Sequence, residues 1–182
     1  HLIGKLIIKR DFKTATESIL ENNGFNENII RGFLANNKNN YVGALRLIPL
    51  KTRRLFVHSY QSFLFNKIVS QYLKDKKNRE NIKIPIIGFS FELDSVKNNQ
   101  LTRIIKKIIL EEKISPRDFI IEQMPELTSE GSFRDLFFQL KFKILEISKD
   151  ELNEHKQKIK INFTLPKGSY ATTVLEFVLQ QC

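Results

Sequence analysis

The sequence has little of what marks several large classes of protein. Its single cysteine, the terminal Cys182, excludes an internal disulfide framework and a cysteine-rich metal cluster. No apolar run approaches the roughly 18 residues that a membrane-spanning helix needs, and the run 84–89 is interrupted by Pro85 and Gly88. The chain begins at His1 without a charged and then apolar leader. We therefore expect a piece of a longer protein that has no membrane span and works in the reducing cytoplasm.

Positive charge, in contrast, is in surplus. The 182 residues include 30 Lys and Arg against 20 Asp and Glu, which gives a formal net charge of +10. The hydrophobic fraction of 41% is typical of a chain that folds around a core and excludes a disordered tail or a collagen. The surplus favours a polyanionic partner, because each phosphate contact releases counterions. A solvated lysine-rich surface explains it equally well, so charge alone leaves both interpretations open.

Apolar residues at three- and four-residue spacing predict helices over the first two thirds of the chain. These helices are expected at 12–20, with Asp11 as N-cap, and at 29–34, 41–48 and 100–113. Ser115 and Pro116 predict one more helix, ending near residue 123. The strongest pattern spans 52–74, where the predicted buried face consists of Leu55, Phe56, Tyr60, Phe63, Leu64 and Ile68.

This long predicted helix also carries polar residues near its apolar face, among them Ser59, Ser62 and Asn66. Buried hydroxyl and amide groups must find hydrogen-bond partners. Internal packing with local bonds satisfies that need, and so does a helix that presents polar groups to a ligand. His58 is expected to be a packed or capping histidine rather than a base. Basic residues cluster near both ends of this helix and on the helix at 100–113, at Lys51, Arg53, Arg54, Lys74, Lys76, Lys77, Arg79, Arg103, Lys106 and Lys107.

The pattern changes to a period of two in the last third, where alternation predicts strands at 136–145 and 158–165. A polar stretch at 148–157 joins them, which indicates an antiparallel hairpin with a long loop. One face of each strand is apolar and the other carries Lys, Asn, Gln or Thr, facing either water or a nucleic acid. A shorter apolar segment at 84–91 predicts another strand, and Ser169 is a candidate N-cap for a last helix at 170–180.

Motifs for cofactor and metal chemistry are missing. No glycine-rich loop has the spacing that binds phosphates, so a nucleotide-dependent enzyme is not expected. His1, His58 and His155 are far apart without paired ligands, so no zinc site is predicted. No G-x-S-x-G elbow occurs either. We expect neither a cofactor nor a metal.

Two segments are more specific than any of these patterns. Residues 56–66 read FVHSYQSFLFN, and residues 163–175 read FTLPKGSYATTVL. Together they resemble the TruD family of tRNA pseudouridine synthases, which has a helix with Gln-Ser-x-x-Phe-Asn and a late Leu-Pro-x-Gly-Ser-Tyr-Ala-Thr segment. Residues 1–5 with Asp11 and Phe12, and Pro125-Glu126-Leu127 ahead of Gly131 and Arg134, add weaker support. Glu176-Phe177 departs from the Arg-Glu that family members often carry.

The resemblance implies an α+β chain in two parts. Residues 1–157 would form the helix-rich inserted domain, with the helix at 52–74 near the catalytic cleft. Residues 158–182 would be the C-terminal strand and helix of a partial pseudouridine synthase catalytic domain, completing an antiparallel hairpin. The family's catalytic aspartate lies in a Gly-x-Lys-Asp-x-x-Ala-x-Thr-x-Gln motif, which this chain lacks. We expect the N-terminal half of the catalytic domain to be missing here.

The implied function is isomerisation of a specific uridine in tRNA to pseudouridine, with tRNA as the partner and the fragment alone inactive. Gln61, Ser62 and Asn66 would order backbone at the active cleft or touch the flipped nucleotide. Gly168, Ser169 and Tyr170 would lie near that cleft, although a turn and a helix cap explain them equally well, and Arg134 would support RNA binding. The alternatives are a non-catalytic basic RNA-binding module and a protein-interaction domain whose positive charge is incidental.

Overall fold

The computed structural model describes residues 1–21, 27–75, 80–166 and 169–179, without the side chains of 177–179. The structure is α+β, as predicted. Its α-helices are α1 (Leu2–Ile8), α2 (Phe12–Glu21), α3 (Glu27–Asn36), α4 (Tyr41–Arg46), α5 (Leu50–Leu73), α6 (Asn99–Glu112) and α7 (Ala171–Leu179). Its strands are β1 (Lys83–Ile86), β2 (Ser132–Asp135), β3 (Lys141–Lys149) and β4 (Gln157–Thr164). Short 3-10 helices cover Leu93–Ser95, Pro116–Phe119 and Pro125–Leu127.

The chain divides into two compact units, His1–Leu136 and Phe137–Cys182. The first contains α1 to α6 with the antiparallel pair β1–β2, and the second contains the antiparallel pair β3–β4 with α7. The predicted boundary between residues 157 and 158 falls after the first residue of β4, and it stays a prediction about the family's segments.

The core of the first unit is built around α5. Val57, Tyr60, Leu64 and Ile68 recur every three or four residues and are fully buried, as the face of a central helix requires. Leu55, also predicted on this face, is instead 62% exposed. The buried face therefore follows the set that includes Val57 and Gln61, which lie on the side of α5 that meets its neighbours.

Helix α1 lies against α5 at a glycine. A Cβ added at Gly4 would come within 2.0 Å of the carbonyl oxygen of Phe56, so no larger residue fits without moving one helix. The ring of His1 stacks on Phe63 of α5 with centroids 4.2 Å apart. The sequence patterns did not predict α1, because its short apolar stretch spans only two turns.

Side-chain caps set the starts of several helices. Asp11 Oδ1 accepts a hydrogen bond from the backbone N–H of Thr14, which confirms the predicted N-cap of α2. Asn40 and Asn98 cap α4 and α6 in the same way, accepting from the N–H groups of Gly43 and Leu101. These caps satisfy N–H groups that have no partner within the first helical turn.

The helix predicted from Ser115 to residue 123 is wrong. The chain forms one 3-10 turn over Pro116–Phe119 and then extends. The N–H of Ile121 donates to Thr128 Oγ1, and the N–H of Ser129 donates to the carbonyl of Phe119. These bonds close residues 119–129 into a loop, which removes the donors that a longer helix would need.

Two strand boundaries also differ from prediction. The strand predicted over 84–91 covers only Lys83–Ile86, paired with β2 in the register Ile84 to Arg134. The strand predicted over 136–145 begins at Lys141 and runs to Lys149. The N–H of Leu136 donates to the carbonyl of Ile82, so the alternating stretch is shared between two separate sheets.

The second unit is a hairpin followed by a helix. Strands β3 and β4 pair from Lys141 opposite Thr164 to Lys149 opposite Gln157, with an irregularity between Ile144 and Glu146. The predicted hairpin is therefore confirmed, with a connection shorter than expected. No described residue of 137–176 is buried. Over the described part of the chain, no helix is long and apolar enough to cross a membrane.

Candidate functional site

The buried amide of Gln61 joins α5 to two loops of the first unit. Its Nε2 donates to the carbonyl oxygen of Ile87 at 2.9 Å and to that of Glu130 at 3.0 Å. The side chain is only 6% exposed, so neither carbonyl would find water easily if the amide were removed. Gln61 therefore fixes the segment after β1 against the segment before β2.

Backbone packing holds the same two segments close together. A Cβ added at Gly88 would lie 2.2 Å from the carbonyl carbon of Glu130, so only glycine allows this approach. The N–H of Gly131 donates to Ser90 Oγ, and the N–H of Phe89 donates to the carbonyl of Ser129. Residues 87–91 and 126–132 consequently form one rigid wall beside α5.

A carboxylate anchors the start of this wall. Glu126 Oε1 lies 2.6 Å from Arg53 Nη1 and 3.3 Å from Arg46 Nε, and Arg54 Nε donates to the Glu126 carbonyl. Burial opposes the charged carboxylate, but hydrogen bonds from backbone and from Arg53 and Arg46 outweigh it and lower the pKa of Glu126. One member of the basic cluster predicted at the start of α5, Arg53, therefore forms an internal ion pair.

Between α5 and this wall lies an open groove of about 580 Å³. Arg54 and His58 line it from the helix, and Phe89, Thr128, Glu130 and Ser132 are among the residues that line it from the wall. The prediction that His58 is packed or capping is wrong, because its side chain is exposed on the groove side of α5. The groove offers cationic, carboxylate, hydroxyl and aromatic groups to a polar ligand.

A separate charge cluster ties α5 to α1 and α6. Glu112 receives Lys5 Nζ at 2.7 Å, Lys67 Nζ at 2.9 Å and the Tyr60 hydroxyl at 3.2 Å. Burial opposes the charge of Glu112, but the two lysines outweigh it and lower the pKa of that carboxyl. The hydrogen bond to Glu112 raises the pKa of Lys67, and burial raises the pKa of Tyr60. The sequence patterns did not predict this cluster, since its members lie 45 to 107 residues from Glu112 along the chain.

Comparisons with known proteins cover almost the whole chain. The family model described as tRNA pseudouridine synthase D (TruD) matches residues 9–82 and 74–177. The chain belongs to the TruD family. A probable tRNA pseudouridine synthase D from Methanosarcina acetivorans is 27% identical, over 96% of this chain and 55% of its own length. The corresponding protein from Methanopyrus kandleri is 31% identical, over 80% of this chain and 37% of its own length.

A solved structure supports the same relationship. The crystal structure of the putative TruD from Methanosarcina mazei has a TM-score of 0.72 and 25% identity, covering 97% of this chain and 56% of that one. The chain therefore spans about half the length of the curated relatives that it matches most broadly. The alignment with the M. acetivorans protein runs over 248 residues, more than this chain contains, so the two differ by insertions.

Three of the segments that resemble TruD proteins are in contact within the first unit. In chain order they begin at His1, at Phe56 and at Pro125. Gly4 of the first segment packs on α5, and Gln61 of the second binds the carbonyl of Glu130 in the third. Arg134 lies over the Phe65 ring, with its guanidinium carbon 5.8 Å from the ring centroid. The motif residues of this TruD unit therefore hold one another in place.

The other predicted site residues occupy different environments. Ser62 is half-buried, whereas Asn66 is exposed one turn further along α5. In the second unit, Ser169 donates its N–H to the carbonyl of Pro166, and Tyr170 is 68% exposed. Helix α7 begins at Ala171, and Gly168 lies outside the described residues.

Asp150, which follows a lysine as the family's catalytic aspartate does, accepts from the N–H of Leu152 and from Asn153 Nδ2. These bonds lower the pKa of Asp150 and assign it to the hairpin turn. Among residues 1–21, 27–75, 80–166 and 169–179, no cluster of three His, Cys, Asp or Glu side chains has metal-binding geometry.

Proposed function

We propose that the full-length protein containing this chain is a tRNA pseudouridine synthase that isomerises a specific uridine and works in the cytoplasm. The observation that carries the proposal is the family match over residues 9–177. Relatives that share this match are named tRNA pseudouridine synthase D. In this proposal the catalytic aspartate lies in a segment before His1, within the missing N-terminal half of the catalytic domain, and the chain by itself is inactive.

The reaction sets the requirements for the rest of the protein. Isomerisation breaks the bond between ribose and N1 of uracil and forms a bond from ribose to C5. The C5 hydrogen leaves as a proton, and N1 takes up a proton, so the product is an isomer of uridine. A uridine inside a folded RNA must leave its stack before an aspartate can reach it. The remaining residues must hold the RNA by its phosphates and 2′-hydroxyl groups and orient the extruded base.

We assign Gln61 a positioning role in this reaction. Its two hydrogen bonds fix residues 87 and 130, which belong to the wall of the groove that Arg54 and His58 also line. Ser62 and Asn66 lie on the same helix, and exposed Asn66 is available to contact RNA directly. Gly168, Ser169 and Tyr170 remain predicted cleft residues, supported by the resemblance and by the exposure of Tyr170. Arg134 remains a predicted RNA-supporting residue.

A tritium-release assay tests the proposed activity. Full-length protein is incubated with tRNA transcripts that carry tritium at C5 of uridine, because pseudouridine formation replaces the C5 hydrogen and releases it to water. We expect release with full-length protein and none with the 182-residue chain alone. Binding of tRNA by the full-length protein without any release would favour the non-catalytic RNA-binding module. Failure to bind tRNA at low salt would favour a protein-interaction domain.

The role of Gln61 needs a variant that separates positioning from folding. We expect Gln61→Ala in the full-length protein to lower kcat roughly tenfold, which is about 1.4 kcal/mol of barrier, with little change in the Kd for tRNA. Thr14→Ala is the matched control, since Thr14 is exposed and remote from the groove. Equal losses of kcat and folded fraction in Gln61→Ala would assign the residue to stability alone.

A further inference from the structure

The β3–β4 hairpin has two chemically different faces. The register places Phe142 opposite Phe163, Ile144 opposite Ile161 and Ile147 opposite Ile159, so these six apolar side chains share one face. The pairs Lys141–Thr164, Lys143–Asn162, Glu146–Lys160 and Ser148–Lys158 occupy the other face. We call these eight residues the lysine face.

A bulge makes this separation possible. The register shifts between Ile144 and Glu146, which leaves Leu145 without a cross-strand partner. Without the shift, Ile147 would point to the lysine face and Glu146 to the apolar face, because side chains alternate along a strand. The extra residue therefore keeps both the apolar row and the row of lysines continuous along the hairpin.

The lysine face is positively charged and open. It carries Lys141, Lys143, Lys158 and Lys160 against the single acid Glu146, and all of these side chains are exposed. Lys158 pairs with Glu151 of the turn. Within the described part of their own unit, Lys141, Lys143 and Lys160 form no ion pair, so their ammonium groups are available.

Hydrogen-bonding groups lie between these charges. Asn162 and Thr164 lie on the same face and are exposed, whereas the hydroxyl oxygen of Ser148 at the turn end is buried. Residues two apart on a strand are separated by about 7 Å. Lys141 and Lys143 lie directly opposite Thr164 and Asn162, so each of these lysines has a hydroxyl or amide group across the hairpin. Such a surface matches a phosphate backbone, whose charges are bound by lysines while polar side chains reach the sugar oxygens.

We propose that the lysine face binds the phosphate backbone of an RNA strand. The choice of RNA over another polyanion rests on the proposed function, and the surface itself follows from the register and charge of the hairpin. Contacts of this kind fix the position of the RNA without reading its bases. The lysine face would therefore raise affinity for many tRNAs alike and make binding depend strongly on salt.

The test compares two full-length variants that lose the same charge. One carries Lys141→Gln, Lys143→Gln, Lys158→Gln and Lys160→Gln. The control carries Lys13→Gln, Lys38→Gln, Lys83→Gln and Lys97→Gln, which are exposed lysines of the first unit. The Kd for tRNA is measured by filter binding at salt concentrations from 50 to 300 mM. Over this range counterion release dominates the salt dependence of binding.

We expect the hairpin variant to bind roughly 10- to 100-fold more weakly at low salt, with a slope of log K against log salt that is smaller by about 3. The control should change Kd less than threefold. A third variant with Arg at the same four hairpin positions should retain binding, because it keeps the charge. Thermal unfolding shows whether the glutamine variant is folded, and the arginine variant keeps the test valid if it is not.

Two outcomes would overturn the inference. Unchanged salt dependence in a folded glutamine variant would show that protein rather than RNA covers this face. An equal loss in the control would show that only total charge matters. Neither outcome affects the proposed activity, which depends on tritium release by the unmodified protein. If the unmodified full-length protein released no tritium while its tRNA binding still depended on these lysines, only the proposed activity would be contradicted.

Discussion

The two units of this chain differ in how far they bury their apolar residues. In the first, Tyr60, Leu64 and Ile68 are fully buried by elements of the same unit. In the second, Phe142, Ile144 and Ile159 are 60%, 50% and 55% exposed, although the register of the hairpin places them in one apolar row. A sequence pattern therefore identifies which face is meant to be covered, but not what covers it.

The difference between the two units should be largest in the free energy of unfolding that is lost when an isoleucine is shortened to alanine. We expect Ile68→Ala to reduce the free energy of unfolding by about 2–5 kcal/mol, because it leaves a cavity in a closed core. The matched change Ile144→Ala should cost less than about 1 kcal/mol in this chain, where that side chain is half exposed. Urea unfolding of both variants checks the comparison, and equal losses would show that the hairpin is covered after all.

Two glycines of the first unit provide a test of how closely α1 packs on α5. Gly4→Ala places a Cβ within 2.0 Å of the Phe56 carbonyl, whereas Gly32→Ala meets nothing within 4 Å. We expect Gly4→Ala to destabilise the chain by about 1–3 kcal/mol. Gly32→Ala, inside helix α3, should stabilise it by about 0.5–1 kcal/mol. The sign of the shift in thermal midpoint distinguishes the two, and two shifts of the same sign would contradict close packing of α1 on α5.

The buried amide tests how the groove wall is held. Gln61→Ala removes donors from two carbonyls, and we expect a loss of about 1–3 kcal/mol. Hydrogen exchange should accelerate for the N–H groups of Phe89 and Gly131, which bond within the wall that Gln61 supports. Exchange measured by NMR at these amides should change more than exchange in α3. Uniform acceleration through the unit would indicate global rather than local loosening.

Acid should reveal the smallest of these effects through Glu112. Its pKa is lower in the folded chain than in the unfolded chain, so its stabilisation is complete above the unfolded value of roughly 4.3. That contribution is lost as the pH falls through the lower folded value. Free energies of unfolding from pH 7 to 3 should fall more steeply for the natural chain than for Glu112→Gln. Glu17→Gln, at an exposed surface pair, should leave the curve unchanged.

Local sequence patterns predicted the elements that are defined by residues within the element or next to it. The spacing of Tyr60, Leu64 and Ile68 predicted α5, and Asp11 predicted the start of α2. The patterns failed where a long-range bond decided the outcome. The alternating stretch after Arg134 divides between two sheets, and the segment after Phe119 closes onto Ser129 instead of continuing as a helix.

The candidate site was predictable only in part, for a similar reason. The resemblance selected Gln61, Ser62 and Asn66 together, yet burial separates them, since Gln61 is enclosed and Asn66 faces solvent. His58 was predicted to be packed because it lies among apolar residues along the helix. Its environment depends on the wall at 126–132, which is remote in sequence.

By itself, the sequence determined the α+β class, the family and the positions of α5 and β4, because periodicity and motif residues are local properties of a chain. The tertiary structure alone decided that the Gln61 amide would bridge residues 87 and 130 and that Glu112 would collect Lys5 and Lys67. Hydrogen bonds and ion pairs act over about 3 Å in space, whatever the distance along the chain. Only folding brings such partners within that range.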